Sequence, residues 1–427
     1  MKPAPRPPSA ALARALGAAA LILVAAHALP GQDDPFDRVD QALSFSGWND
    51  DLRVRLSGTL DLEGYYLTEP EEGLIFSPGH MFAVPRLSLF LDAQLGRHLY
   101  AFAQARFDNG FDPDEPGPQA RLDEYVLRLT PFDDGRLSLQ AGKFATVVGN
   151  WTLRHGSWEN PFITAPLPYE NLTGIWDTDA VRSVPELMAW AGVLPRPDAA
   201  GAFLDQYRNI PIIWGPSYAS GASVFGQVGE VDYALEVKNT SLSSRPQTWA
   251  PTETQWQNPT FSGRVGFMPD EMWNIGFSAS AGPYLQPEAG ATLAPGRGLD
   301  SYLEVVLGQD VSFAWHHVQL WAEAYEARFE IPGVGNADTQ AYYVEAKYKF
   351  APQLSGALRW NQQFFSSLPL PGGGGAAWSR AVTRVDAGPA YRLTAHVQMK
   401  LQYSLERQQA DIGAWSQLVA VQMTTRF

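Results

Sequence analysis

The chain has 427 residues, of which 45% are hydrophobic, 12% aromatic and 18% charged, and its net charge is −14. The absence of cysteine excludes disulfide frameworks, iron–sulfur clusters and thiol catalysis, and the acidic balance argues against nucleic acid as a partner. A chain of this length can bury a large core, yet its charge content is low for a soluble protein.

The N-terminus has the pattern of a secretory signal peptide. Basic residues precede an apolar segment from Leu16 to Ala26. Ala26 and Ala28 are the small residues at positions minus three and minus one before a cleavage site. The apolar segment is shorter than a membrane-spanning helix, and no later segment reaches the length that such a helix needs. We therefore predict a cleaved signal at 1–28, a short periplasmic lead-in at 29–50, and export of the remaining chain without a helical anchor.

From Leu52 to the C-terminus, apolar and polar residues alternate with a period of two. The pattern appears first from Leu52 to Tyr66, and similar segments follow along the chain. Short and long connections between these segments alternate. Gly308 to Asp310 is predicted to be one of the short turns. About 16 strands fit this pattern, and long loops on one side only are typical of outer-membrane barrels. The predicted fold is all-β, a transmembrane antiparallel up-and-down β-barrel over 51–427.

One connection, at about 146–215, is far longer than the others and follows the fifth predicted strand. Structureless runs longer than about 15 residues within a compact domain are usually functional loops. The loop contains four carboxylates that could face a pore: Glu159, Glu170, Asp177 and Asp179. It also contains aromatic side chains that could contact a solute, or could instead hold the loop in place: Trp151, Trp158, Tyr169 and Trp176.

Six arginines lie on the polar face of the first five predicted strands. A closed barrel of this size turns that face toward a water-filled interior. Opposed charges at a narrow point set the selectivity of a pore, so we predict a constriction between the loop carboxylates and an arginine-lined wall. The alternative is that the arginines are scattered on a solvated face without a joint role. The six are Arg53, Arg55, Arg86, Arg106, Arg128 and Arg136.

Three features together are shared with a known family: the signal peptide, the alternating hairpins from Leu52 onward, and the final strand from Val419 to Phe427. On these residues the chain resembles the Gram-negative outer-membrane porins. The resemblance implies an outer-membrane lipid environment, recognition of Phe427 by the barrel-assembly machinery, a loop folded into the lumen, and a homotrimer. The stretch Gly142 to Phe144 before the loop is also similar to one in phosphate-selective porins.

The predicted function is a porin, a passive diffusion channel for small hydrophilic solutes or ions, with no catalytic residue, metal or cofactor. Two alternatives remain: a barrel enzyme such as a lipid hydrolase, and a structural or adhesin barrel. For the enzyme, His155 and Ser157 lie close to Glu159 in sequence, but only geometry can show a catalytic pair.

Overall fold

The computed structural model describes the chain in six segments, which are 35–48, 51–69, 73–195, 206–250, 256–409 and 415–427. The predicted signal peptide at 1–28 lies outside these segments. Within them, no helix is both long enough and apolar enough to cross a membrane. The described part of the lead-in forms a helix at Pro35–Ala42 and a short strand, β1, at Ser44–Gly47.

Sixteen long strands form one closed antiparallel sheet, in which each long strand pairs with the next along the chain and the last pairs with the first. This confirms the predicted fold class. In chain order, with two short hairpin strands between the thirteenth and fourteenth long strands, the bounds are β2 Leu52–Leu67, β3 Met81–Leu95, β4 Leu99–Asp108, β5 Gln119–Leu129, β6 Ser138–Phe144, β7 Ala219–Val228, β8 Val231–Lys238, β9 Thr260–Phe267, β10 Trp273–Pro283, β11 Leu303–Trp315, β12 Val318–Ile331, β13 Gly335–Lys349, β14 Leu354–Phe365, β15 Ser367–Pro369, β16 Gly375–Ala377, β17 Val382–Arg392, β18 Val397–Gln408 and β19 Ser416–Arg426.

The two faces of the sheet differ as the alternating sequence requires. On β3, Leu89 and Leu91 point outward and are each 38% exposed, whereas Arg86 and Ser88 point into the barrel. Outward apolar and inward polar side chains suit a barrel that is surrounded by lipid and holds water and polar groups inside. The barrel wall is therefore a single layer whose two sides face different solvents.

The barrel closes where β19 pairs with β2. β19 covers β2 as far as Thr59, and β1 pairs with the remaining edge of β2 from Leu52 to Arg55. Between them, the backbone N–H and C=O of Phe427 form hydrogen bonds with Gly58 at 3.0 and 2.8 Å. A Cβ at Gly58 would lie 2.5 Å from the Phe427 ring, so glycine makes room for the C-terminal aromatic side chain.

One end of the barrel, the short-turn end, has tight connections, and the other, the long-loop end, has extended ones. β11 and β12 are joined at the short-turn end through His316 and His317, where His316 has a φ of 50°. The predicted turn at Gly308 to Asp310 is therefore wrong, because this segment lies within β11. A Cβ at Gly308 would lie 2.6 Å from the ring of Tyr325 on β12, so this glycine accommodates an aromatic ring and does not form a turn.

The connection between β6 and β7, residues 145–218, is the longest in the barrel. Its described groups form hydrogen bonds with inward-facing side chains of β2, β8, β10, β12, β13, β14, β17 and β18, so the described part of the loop lies inside the barrel. Most of the loop is held by short turns and 3₁₀ segments. Its described helical segments are Trp151–Arg154, Leu167–Tyr169, Val184–Trp190 and Gln206–Arg208. Further 3₁₀ segments in other loops are Pro246–Thr248, Pro287–Ala291 and Leu299–Ser301.

Candidate functional site

A cavity of about 980 Å³ separates the long loop from the wall formed by β2 to β5. Arg55 and Arg426 line it at the short-turn end, and Phe76 and Asp112 line it at the long-loop end. The cavity, called here the channel cavity, therefore extends along the height of the barrel. On the other side of the channel cavity, the described part of the long loop contacts the opposite wall.

The arginines of this wall carry their own counter-charges. Arg86 forms an ion pair with Asp61 at 3.1 Å and a second, shorter one with Glu63. Arg106 pairs with Asp108 at 2.7 Å and with Asp123 at 3.6 Å. The predicted basic wall is consequently a mixed wall, in which the guanidinium groups of Arg86 and Arg106 are each held between two carboxylates.

The other predicted arginines lie nearer the short-turn end. Arg55 lines the channel cavity and pairs with Asp40 of the N-terminal helix at 2.8 Å. Arg128 points inward and donates to Gln140 at 2.8 Å. Arg53 is exposed near the start of β2, and Arg136 is exposed in the turn before β6. Of the six, Arg55, Arg86 and Arg106 line the channel cavity.

Two of the four predicted loop carboxylates bind arginines outside the predicted set. The Glu170 carboxylate is buried and accepts from Arg384 of β17 at 3.1 Å. The Asp177 carboxylate is buried against Arg245 at 3.0 Å. Asp179 accepts from the backbone N–H of the next residue. Glu159 is exposed in the channel cavity, and its carboxylate has no hydrogen bond or ion pair to any described residue.

Carboxylates outnumber guanidinium groups around the channel cavity. Seven acidic residues line it, against four arginines. Several of these carboxylates are paired with arginines behind the lining, since Asp112 pairs with Arg245, Asp108 with Arg121 and Glu170 with Arg384. Glu159 is the lining carboxylate that is exposed and has no ion pair to a described residue. The acidic residues are Asp40, Glu63, Asp108, Asp112, Glu124, Glu159 and Glu170, and the arginines are Arg55, Arg86, Arg106 and Arg426.

The loop touches the β2–β3 wall at Ser157. The Ser157 hydroxyl donates to Asp61 at 2.6 Å and accepts from Arg86 at 3.2 Å. The His155 ring is held elsewhere, with Nδ1 2.5 Å from the Thr152 carbonyl and Nε2 2.5 Å from the Tyr218 hydroxyl. Ser157 and His155 therefore do not form a nucleophile–base pair.

The four aromatic side chains singled out in the loop are buried. Trp151 and Tyr169 pack against each other with ring centroids 4.6 Å apart, and Trp176 stacks on a neighbouring tryptophan of the same loop at 4.1 Å. The Trp158 ring is covered by the guanidinium of Arg426 at 4.2 Å. Trp151, Trp158 and Tyr169 line the channel cavity with little exposed area, and these contacts hold the loop in shape.

The far wall anchors the loop through residues that the sequence reasoning missed. Glu323 on β12 accepts from the backbone N–H groups of Asn150 and Trp151, both at 2.6 Å. Arg359 on β14, which is fully buried, donates to Asp386 at 2.8 Å and to the carbonyl oxygen of Thr164 at 3.2 Å. In the later strands, charged residues such as Glu323 and Arg359 occupy the alternating positions that face the lumen. That pattern in the sequence could have identified this anchoring wall.

The pH dependence of loop docking is expected to depend on His155. Burial lowers the pKa of His155 to about 4, below the ordinary 6.5, so the docked loop holds it neutral. A released loop binds a proton near pH 6.5, and docking therefore weakens as pH falls from 6.5 to 4, with no further loss below 4. In planar bilayers, loop-dependent current fluctuations should become at least about tenfold more frequent between pH 7 and pH 4.5.

The control for this experiment is a histidine remote from the loop. His155→Gln should abolish the acid-induced increase in current fluctuations, whereas His316→Gln, at an exposed turn, should retain it. An equal acid response in both variants would rule out His155 as the titrating group.

No protein-family model matches the sequence, and no curated protein matches it. Solved structures do match. An anion-selective porin from Comamonas acidovorans is 12% identical, with a TM-score of 0.55 over 88% of this chain and 100% of that chain. OmpT of Vibrio cholerae, an outer membrane protein in its trimer form, is 10% identical, with a TM-score of 0.54 over 88% and 100%. The outer membrane channel DcaP of Acinetobacter baumannii is 11% identical, with a TM-score of 0.51 over 90% and 99%.

At these identities the similarity concerns the fold. The barrel aligns with these outer-membrane proteins over 88–90% of this chain and 99–100% of theirs. The chain has the barrel fold of the Gram-negative outer-membrane porins.

Proposed function

We propose that this porin-fold barrel is a passive diffusion channel of the bacterial outer membrane for small hydrophilic solutes and ions. The observation that carries the proposal is the channel cavity, whose lining includes residues from both ends of the barrel. Solutes pass between the β2–β5 wall and the long loop. No observation favours a lipid hydrolase or an adhesin over this function.

The narrow part of the path lies where the loop meets the wall. Ser157 bonds to Asp61 and Arg86, and this contact limits the opening to the space beside it. Paired charges such as Arg86 with Glu63 fix the wall, while the unpaired Glu159 is available to attract ions. Because the exposed Glu159 carboxylate has no ion pair to a described residue, the channel is expected to prefer cations.

The remaining parts of the proposal concern how the barrel reaches the membrane and assembles. The signal at 1–28 directs export, and the final strand with Phe427 is the segment that the barrel-assembly machinery recognises. The outward leucines face outer-membrane lipid. A homotrimer fits the proposal, and one of the similar structures is described as a trimer form.

The proposal is tested by incorporating the purified protein into planar bilayers under a KCl gradient. Discrete conductance steps are expected. The sign of the reversal potential should indicate that the channel prefers cations to anions. Glu159→Lys should shift the reversal potential toward anion preference, because it replaces the unpaired carboxylate in the cavity. Glu271→Lys, in an exposed turn between β9 and β10, is the matched control and should leave the reversal potential unchanged.

Other outcomes separate the alternatives. A protein that gives no conductance steps but releases fatty acid from phospholipid vesicles would be an enzyme. A protein without either activity would be a structural barrel.

A further inference from the structure

The inner face of the β2–β5 wall carries aromatic and aliphatic side chains among its charges. Phe82, Val84 and Phe90 occupy inward positions on β3, in phase with Arg86, and are partly exposed in the channel cavity. Phe90 stacks with Phe102 of β4 at 6.2 Å. Phe82 and Val84 also pack against the buried cluster of Tyr65, Leu67, Leu418 and Ala420. Their partly exposed area nevertheless faces the channel cavity, and apolar area left in water is unfavourable in proportion to its extent.

The loops add apolar side chains to the same cavity. Leu153 of the long loop lines the channel cavity and is 80% exposed, although its neighbours Thr152 and Arg154 are buried. The loop between β2 and β3 contributes Ile75 and Phe76, which are partly exposed. These two side chains continue the apolar lining toward the long-loop end. The side chains Leu153, Ile75, Phe76, Phe82, Val84 and Phe90 are called here the apolar stripe.

The charges next to the apolar stripe favour one sign of solute. Arg86 and Arg106 are already paired with carboxylates of their own wall. The exposed Glu159 carboxylate, in contrast, has no hydrogen bond or ion pair to any described residue. The fourth arginine of the cavity, Arg426, lies over the Trp158 ring at 4.2 Å and donates to the carbonyl oxygen of Ala395. A positively charged solute can therefore gain an ionic contact with Glu159, whereas an anion must compete for Arg86 and Arg106 with the carboxylates that already pair with them.

From this arrangement we infer that the channel selects organic cations that carry an apolar ring. The inference rests on the proposed channel function and names its preferred class of solute. The ring packs on the apolar stripe, and the cationic group lies toward the carboxylates. A cavity of about 980 Å³ has room for a molecule of this kind.

The test compares solutes that differ in one feature, using current block in planar bilayers. Benzyltrimethylammonium has a ring and a positive charge, tetramethylammonium has the charge without the ring, and benzenesulfonate has the ring with a negative charge. Half-maximal block by benzyltrimethylammonium is expected at a roughly tenfold lower concentration than by either of the others, since burial of a ring supplies about that factor.

The apolar stripe is tested through its most exposed member. Leu153→Ser should remove most of the advantage of benzyltrimethylammonium while conductance in KCl persists. Leu194→Ser is the matched control, because Leu194 belongs to the same long loop, is 39% exposed and does not line the channel cavity. Both variants replace an exposed leucine, so the barrel should remain folded.

Each outcome bears on one proposal. Conductance steps with equal block by the two cations overturn the inference and leave the channel function intact. Stronger block by benzenesulfonate than by benzyltrimethylammonium overturns the preference for cations. A full advantage retained in Leu153→Ser overturns the assignment to the apolar stripe. The absence of any conductance step overturns the channel function itself.

Discussion

Deletion of residues 152–178 is expected to raise the single-channel conductance about threefold or more, because an unobstructed barrel of this size leaves a wide aqueous lumen. The deleted segment contains the contacts with β2, β14, β17 and β18 that fill the lumen beside the channel cavity. The wall side chains that form these contacts, Asp61, Asn361, Arg384 and Lys400, are charged or polar, and water can hydrate them. Single-channel recording in KCl gives the measurement.

The control deletion should leave conductance unchanged. Residues 372–374 lie in the connection between β15 and β16, where they are exposed and away from the channel cavity. Both variants must first show the gel mobility of a folded barrel before heating. Equal conductance in the wild type and in the 152–178 deletion would show that the long loop does not restrict the pore.

Arg359→Met is expected to reduce the free energy of unfolding by about 3–5 kcal/mol, the usual cost of removing one partner from a buried ion pair. Arg359 is fully buried between Glu345 and Asp386, with N–O distances of 3.4 and 2.8 Å. Its loss leaves two buried carboxylates without that charge and releases the loop carbonyl of Thr164. Denaturant unfolding in detergent, followed by tryptophan fluorescence, measures the change.

An exposed arginine of the same barrel supplies the comparison. Arg328 pairs with Asp338 at 2.7 Å, but its side chain is 54% exposed, so Arg328→Met should reduce the free energy of unfolding far less than Arg359→Met does. Adding Asp386→Asn to Arg359→Met should recover part of the lost stability, because the carboxylate that loses its 2.8 Å partner is then neutral, while Arg384 keeps its ion pair with Glu170. Similar losses for Arg359→Met and Arg328→Met would contradict a buried anchoring role.

The barrel could be predicted from the sequence because one physical constraint acts on every strand. Lipid outside and polar groups inside impose a period of two, and long and short connections mark the two ends. The prediction failed at Gly308 to Asp310, where a glycine and polar residues have the composition of a turn. Only the position of Tyr325 on the neighbouring strand explains that glycine, and strand register is tertiary information.

The channel cavity was harder to predict for the same reason. Alternation identified Arg86 and Arg106 as inward, but it could not show that neighbouring carboxylates neutralise them. Contacts such as that between Glu170 and Arg384 join residues 214 positions apart in the chain. The aromatic residues of the loop could be identified in the sequence because they are close together. Leu153 could not, because the sequence shows only that it is apolar and not that it is exposed.

The contact between the loop and the wall also has a consequence for the rate of assembly. Closing the barrel brings Asp61 on β2 to Thr424 on β19, a separation of 363 residues. Ser157 of the loop contacts Asp61, 96 residues away, and Asn160 contacts Lys400 on β18, 240 residues away. The loop thus divides one very long chain closure, from β2 to β19, into two shorter ones. Bringing together segments that are distant in the chain slows folding. A loop that docks early therefore speeds the pairing of the first and last strands.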